Sequence, residues 1–480
     1  MSDAQRNAVR ELMRVSPVVV ELGTRFTSAG HALHLVGGSV RDALLGRLGG
    51  DLDLTTDARP DQVLGLVDGW AERTWETGIA FGTVGVAARG FSLEITTYRA
   101  DAYQPDSRQP EVRFGSSLLD DLARRDFTVN AMALALPGWT VPEAFVDPFG
   151  GLQDLGAARL RTPGRPEDSF ADDPLRMLRA ARFASVLGFA VDADVVAAMT
   201  SMAERLQIVS AERIKEELSR LLLGAHPRAG LELLTDTGLA AQVLPELPAL
   251  RLEIDEHHQH KDVYEHTLQV LERAIRLEEH GPDLVLRLAA LLHDIGKPRT
   301  RKHQPGGGVS FHHHEVVGAK MARKRLRALT FGRDVVDPVC LLTELHLRFH
   351  GYGSRDWTDA AVRRYVTDAG AELSRLHKLV RSDCTTRNRR RAQGLATAYD
   401  ELEARIARLA EQEELDRIRP DLDGNAIMTL LGLPPGRQVG AARQHLLDLR
   451  MEHGPLPEEE ARAALLAWAK EQGLAPPGQP

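Results

Sequence analysis

The spacing of hydrophobic residues changes twice along the chain, and those changes divide it. Residues 1–30 carry apolar positions at helical spacing and predict an amphipathic helix or two. Residues 31–36 then read as a strand, residues 37–39 as a glycine turn, and residues 40–45 as a short helix. Asp51-Leu52-Asp53-Leu54-Thr55 alternates strictly, which sends Leu52 and Leu54 into a core and Asp51 and Asp53 to the opposite face. Val84 with Val86, and Leu93 with Ile95, mark two more alternating strands, with Glu94 on the polar side of the second. Residues 98–114 lose all periodicity and contain Pro105 and Pro110, which predicts a long polar loop, functional or disordered. Beyond residue 185 the spacing is helical almost throughout, most clearly at residues 211–222. Turn residues at 421–424, 432–436 and 439–440 punctuate the last part, and residues 475–480 read as a frayed end. The pattern predicts an α+β protein, with a mixed-sheet head at 1–155, a helical neck at 156–250, a third helical domain at 251–392 and a helical tail at 393–480.

Composition narrows the class. A chain of 480 residues exceeds one hydrophobic core. There is no run of about 18 uncharged apolar residues and no apolar signal core near residue 1, so a membrane span is not expected. Cys340 and Cys384 are the two cysteines, which points to a reducing cytoplasm without a disulfide framework. The net charge of −8 excludes a basic coat over the whole molecule but not local RNA contact. Basic runs at 320–327 and 387–391, and the arginines between Arg159 and Arg182, are either contacts of that kind or solvated helix faces.

The chemistry concentrates first around residues 35–56. Gly37 and Gly38 let the backbone approach a ligand, Ser39 follows, and the next helix directs its amino-terminal N–H groups and Arg41 at the same place, an arrangement suited to phosphate. Asp51 and Asp53 supply two hard oxygen ligands on one face, which suit Mg²⁺ shared with substrate phosphates. Glu94 is either a third carboxylate or an ordinary surface residue. Farther on, Arg124, Arg125, Asp126 and Asn130 offer cations for a triphosphate and partners for a ribose hydroxyl. Asp173, Arg176 and Arg179 recur at helical spacing after Asp172 and before or beyond Pro174, and pair an acceptor with rigid donors as reading a base edge requires. A second centre begins after residue 257. His266, His293, Asp294, His314, His346 and Asp383 combine imidazole and carboxylate donors, which suit a transition metal or Mg²⁺ that activates water.

These motifs resemble, in order, those of the class II CCA-adding tRNA nucleotidyltransferase and bacterial poly(A) polymerase family. Gly37-Gly38-Ser39-Val40-Arg41-Asp42 with Asp51-x-Asp53 is similar to its motif A, and Arg124-Arg125-Asp126-Phe127 with Asn130-Ala131 to motif B. Asp147-Pro148-Phe149-Gly150-Gly151-Leu152 is similar to motif C. Asp172-Asp173-Pro174-Leu175-Arg176 resembles motif D, with Asp172 standing where the family has Glu, and residues 211–218 resemble motif E. The His/Asp stations and HDIGKP resemble the HD superfamily, and residues 421–440 the tail that holds a tRNA arm. The resemblance implies a polymerase beta-like head and attack of a tRNA 3′-hydroxyl on CTP or ATP with Mg²⁺ bound at Asp51 and Asp53. It further implies triphosphate binding at Gly37, Gly38, Ser39 and Arg41, and base choice by Asp173 and Arg176. It assigns the loop at 98–114 to the switch from C to A addition, a loop that CC-adding relatives lack. A poly(A) polymerase with the same head, and an HD phosphohydrolase with an RNA-binding head, are the rival readings. For the HD region, hydrolysis of phosphate esters and mere stiffening by a metal both stay open.

Overall fold

The computed structural model describes residues 3–79, 82–102, 111–115, 117–138, 141–251, 253–256, 259–304, 309–351, 357–384, 389–413 and 420–474. The chain divides into two compact units, Met1–Pro248 and Ala249–Pro480.

The first unit is built on a seven-stranded sheet. Its strands in chain order are β1 (Leu33–Val36), β2 (Asp51–Thr56), β3 (Arg73–Trp75), β4 (Thr83–Ala88) and β5 (Phe91–Thr97), then β8 (Ala133–Leu136) and β9 (Phe145–Val146) after a separate hairpin of β6 (Arg99–Ala102) and β7 (Glu111–Phe114). The spatial order is β3-β4-β5-β2-β1-β8-β9, with β2 and β5 parallel and the other neighbours antiparallel. Leu52, Leu54, Leu93 and Ile95 are buried on one face, and each such side chain stabilises the fold by roughly 1.5–3 kcal/mol relative to exposure. Because side chains alternate, that burial fixes the register and holds Asp51 and Asp53 on the other face. The helices of this unit are α1 (Asp3–Ser28), α2 (Gly38–Leu44), α3 (Pro60–Val67), α4 (Leu118–Ala123), α5 (Gly151–Gly156), α6 (Pro166–Asp172), α7 (Leu175–Leu187), α8 (Ala193–Met202), α9 (Ala211–Leu222), α10 (Pro227–Asp236) and α11 (Leu239–Val243).

The second unit is mostly helical: α12 (Val263–Arg276), α13 (Leu284–Leu292), α14 (Lys297–Thr300), α15 (His314–Ala328), α16 (Arg333–Leu345), α17 (Asp359–Ala369), α18 (Leu373–Asp383), α19 (Arg389–Glu413), α20 (Gly424–Leu431), α21 (Arg437–His453) and α22 (Glu458–Glu471). The last three bury Ile427, Leu431, Ala442, Leu446, Ala461 and Leu465 in a core of their own. No described helix is long and apolar enough to cross a membrane.

Several sequence expectations change in detail. The first strand starts at Leu33 and the helix after it at Gly38, because Gly37 takes the cap position. Part of the loop expected at 98–114 is instead a strand pair, Arg99 opposite Phe114 and Ala102 opposite Glu111, while residues 103–110 lie outside the described residues. The part of the basic run that covers residues 387–388 also lies outside them. The mostly helical remainder also carries short strand pairs: Arg159–Leu160 pairs with Ala190–Val191, Glu253–Glu256 with Gln259–Asp262, and Lys302–His303 with Val309–Ser310. The turn expected at Val439-Gly440 is helical, since Gly436 already serves as the amino-terminal cap of α21.

Candidate active site and metal centre

At the carboxy-terminal end of β1 the chain turns through Gly37, whose φ is 66°. An L side chain is strained there, and a Cβ would lie 2.6 Å from Nη1 of Arg125. The backbone angle reserves the position for glycine, and the close approach places a guanidinium against the turn. Ser39 Oγ accepts a hydrogen bond from the Asp53 amide at 2.8 Å, tying the start of α2 to β2. Parallel pairing puts Asp53 beside Glu94 and Asp51 beside Ser92. Burial pushes the Asp53 carboxyl above the usual range, Glu94 and Asp51 add to that, and Arg125 and Arg41 pull against it. Acidic groups crowded on adjacent strands, one of them pushed towards protonation, form a hard-oxygen donor set that suits Mg²⁺.

The arginines around this face are held by buried acceptors. Arg41 donates to Asn130 Oδ1 at 2.6 Å and to both oxygens of Asp42. Asp121, fully buried, accepts from Arg124 at 2.7 Å and Arg125 at 3.1 Å. Burial opposes the charge on Asp121, and the two guanidiniums more than offset it, holding its carboxyl below the usual range. Asp126 accepts from Arg179 Nε at 2.7 Å and Nη2 at 2.5 Å, from Asn130 Nδ2 at 2.9 Å and from the Phe127 amide at 2.8 Å. Phe183 is a shared floor, with guanidinium carbons of Arg182, Arg41 and Arg179 at 3.9, 5.2 and 5.7 Å from its ring centre.

Asp173 and Arg176 occupy a joint between helices. Asp173 ends α6 and Pro174 opens α7, so Asp173 is not on the helical face that the i, i+3, i+6 spacing predicts. One Asp173 oxygen accepts from the Leu175 amide at 3.1 Å, and the other from Arg213 of α9 at 2.7 Å. Arg176 is buried and donates to Ser169 Oγ at 2.9 Å and to the Arg124 carbonyl at 2.5 Å. Sequence reasoning missed Asp121 and Arg213 as partners. Asp121 was discoverable, because it precedes Arg124 and Arg125 by three and four residues on a helical turn. No local pattern links Arg213 to Asp173.

In the second unit the six His/Asp stations converge. His266 lies inside α12, His293 and Asp294 follow α13, His314 begins α15, His346 follows α16, and Asp383 ends α18. Two overlapping groups, His266–His293–Asp294 and Asp294–His314–His346, each have ligand atoms within 4.8 Å of one another and share Asp294. His266 Nε2 is 2.9 Å from Asp383. The rings of His293, His314 and His346 each bond through Nδ1 to the carbonyl three residues back, at 2.9, 2.9 and 2.7 Å. That contact fixes each ring and directs Nε2 to the centre, as second-shell contacts do in metal sites. His293 Nε2 is buried and 3.2 Å from Asp294, yet makes no hydrogen bond, the position of a ligand atom facing a cation. Burial opposes a charged His293 ring, but Asp294 and Asp383 outweigh it and favour positive charge there, the charge that a bound cation would supply in its place. Burial and the neighbouring His293 hold His346 down at about 3. The donor set fits a divalent transition metal. Gly296 is required for its assembly, since a Cβ there would meet the His314 carbonyl at 2.1 Å. Lys297 also bonds Asp294, at 2.7 Å.

Family models described as the poly A polymerase head domain, a probable RNA and SrmB-binding site of polymerase A, and the HD domain match residues 33–161, 188–250 and 263–414. An A-adding tRNA nucleotidyltransferase of Deinococcus radiodurans is 34% identical over 450 residues, covering 91% of this chain and 95% of that protein. A CCA-adding enzyme of Levilactobacillus brevis is 44% identical over 212 residues, or 44% of this chain and 51% of that protein. The chain spans about half the length of that relative and of the similar CCA-adding enzymes from Anoxybacillus flavithermus and Bacillus velezensis. The Bacillus stearothermophilus CCA-adding enzyme in complex with CTP superposes with a TM-score of 0.66 at 27% identity, covering 95% of this chain and 96% of that one.

Proposed function

Because the chain belongs to the class II CCA-adding enzyme and poly(A) polymerase head family, with its RNA-binding and HD regions, we propose that it adds nucleotides to the 3′ end of tRNA, using CTP and ATP to build CCA. The observation that carries this reading is the pairing of Asp51 and Asp53 on one sheet face beside the Gly37 cap and Arg125. Bound there, Mg²⁺ would supply Lewis-acid stabilisation of the attacking oxygen and the α-phosphate. The chain's own part is placement. Gly37, Gly38, Ser39 and Arg41 hold the triphosphate, and Arg124 and Arg125, aligned by Asp121, present their outer N–H groups to it. Asp126 and Asn130 set the sugar, while Asp173 and Arg176 select the base, Asp173 by accepting from an amino group. Nucleotide selection by residues fixed within one unit makes a nucleic-acid template unnecessary.

A second reading, addition of A alone, is favoured by the full-length likeness to the Deinococcus radiodurans A-adding protein. The deciding experiment supplies tRNA lacking its 3′ end, or ending in CC, with each NTP separately and then together. CCA synthesis predicts extension of both tRNAs. Extension of the CC-ending tRNA by ATP, with no addition to the shorter tRNA from CTP, supports the second reading. An open-ended A tract favours poly(A) synthesis, and no extension of any RNA rejects the transferase assignment, leaving the HD centre as the active one. In that centre His266, His293, Asp294, His314, His346 and Asp383 would hold a divalent metal, which would supply an activated water for hydrolysis of a phosphate ester.

A further inference from the structure

The second unit contains a cavity of about 530 Å³ that none of the residues above uses, a size within the usual range of ligand pockets. Its wall is the start of α17, where Trp357 packs edge-on to Tyr365 with ring centres 5.7 Å apart. Tyr365 is fixed from behind by a parallel stack on His377. Trp357 is fixed through its carbonyl, which accepts from Arg405 at 2.7 Å, and Arg405 is itself paired with Asp359 at 2.6 Å. An aromatic wall braced at both ends loses little freedom on binding.

Two guanidiniums stand at the rim. Arg364 approaches Glu452 through Nη2 at 3.5 Å, and Arg348 pairs through Nη1 with Asp368. Their side chains remain 56% and 46% exposed, so each pairing engages one nitrogen of a five-donor fork and leaves others facing solvent. Glu452, 53% exposed, adds an acceptor on the same rim. An aromatic surface, two outward forks and one carboxylate acceptor match a ligand that is flat and aromatic at one end, anionic at the other, and carries an amino group.

We propose that this cavity is a nucleotide-binding site, in which a base lies against Trp357 and its phosphate against Arg364 and Arg348. Neither end suffices alone. An inorganic anion leaves the aromatic wall uncovered, and an acidic peptide brings carboxylates to Glu452 and nothing flat to the indole. Base-on-aromatic stacking and arginine-to-phosphate pairing are both sequence-tolerant. The same chemistry is therefore offered by a free mononucleotide and by one nucleotide of a single-stranded RNA. The inference does not depend on the transferase reading, because it uses no residue of the first unit.

The test is equilibrium binding of radiolabelled AMP to the full chain, counting sites per chain. Arg364→Glu reverses the charge at a half-exposed position, so it should leave the fold intact while weakening this site at least about tenfold. Trp357→Ala should do the same, a loss within what one stacked base contributes, and Trp357→Phe should recover most of it. Competition assigns the ligand: adenosine and inorganic phosphate should each displace AMP at least tenfold less well than unlabelled AMP. Stronger displacement by a short oligo(A) would identify the RNA source, and equal or weaker displacement the free nucleotide. Unchanged AMP binding and site count in Arg364→Glu would overturn the proposal whatever Trp357→Ala does. Displacement by inorganic phosphate as effective as by AMP would overturn it too, since the site would then recognise an anion only.

Discussion

Asp126 is where the first unit is most exposed to a single change. Asp126→Ala would leave Arg179 without the oxygen that accepts from both its Nε and its Nη2, and free the Asn130 amide that steadies Arg41. Breaking one side of a buried ion pair costs about 3–5 kcal/mol. The Arg179 side chain keeps 32% of its surface exposed and its Nη1 lies 3.8 Å from Glu217 Oε1, so water and that carboxylate recover part of this, and the expected loss is about 2–4 kcal/mol. Hydrogen exchange at the amides of α7 reads that loss locally, without requiring a chain of two units to unfold in one step. Protection should fall roughly 30- to 700-fold. Arg179→Met in the same chain should restore more than half of it by removing a charge that only the more distant Glu217 then faces. The pH dependence gives an independent check. Burial opposes the Asp126 charge, but Arg179 and the Asn130 amide outweigh it and hold the carboxyl well below its usual range. A depressed carboxylate contributes stability that is present above its unfolded value of about 4 and lost as pH falls towards the folded value. The advantage of the wild type over Asp126→Asn should therefore shrink as pH drops below about 4. A change under threefold in α7 protection, or a double variant no better than Asp126→Ala, would refute the reasoning.

Gly37→Ala adds about 1–2 kcal/mol of left-handed backbone strain and displaces Arg125, so NTP affinity in filter binding should fall about tenfold with helix content unchanged; full affinity would show the cradle to be elsewhere. Glu94→Gln removes a charge that raises the Asp53 carboxyl, so the acid limb of Mg²⁺-dependent activity should move to lower pH, and an unmoved limb would detach Glu94 from the site. Asp173→Ala should damage selectivity among the four NTPs as well as rate, whereas a uniform rate loss with discrimination intact would leave Asp173 a structural partner of Arg213. His293→Ala with Asp294→Ala should lower the metal content measured by mass spectrometry by at least one ion per chain while nucleotide addition persists, because each cluster is complete within its own unit; retained metal would unseat the ligand assignment.

The Asp51/Asp53 face was legible because strand alternation is a strictly local rule, and four buried apolar neighbours enforce it. The HD stations were legible by residue type and order, although only the fold shows that five of the six sit at or beside helix ends, where the backbone turns them inward. What local spacing could not supply was pairing across distance. Periodicity put Asp173 on a helical face with Arg176, but Pro174 opens a new helix, and the partner of Asp173 comes from 40 residues away. Gly440 illustrates the opposite error. It looked like punctuation, yet a helix tolerates glycine at a cost of about 1 kcal/mol once its cap has been supplied elsewhere.

The inward engagement of Arg176 changes what discrimination means on the proposed reading. Its donors are already satisfied by Ser169 and by the Arg124 carbonyl. A base that draws on them must exchange hydrogen bonds, because there are few idle ones to add. The correct edge returns what it takes, and the exchange is nearly neutral. A wrong edge leaves a buried donor or acceptor without a partner, at about 1–3 kcal/mol for each. Fidelity would then come from what a mismatched nucleotide breaks, and strengthening the grip on the correct one would do little to improve it.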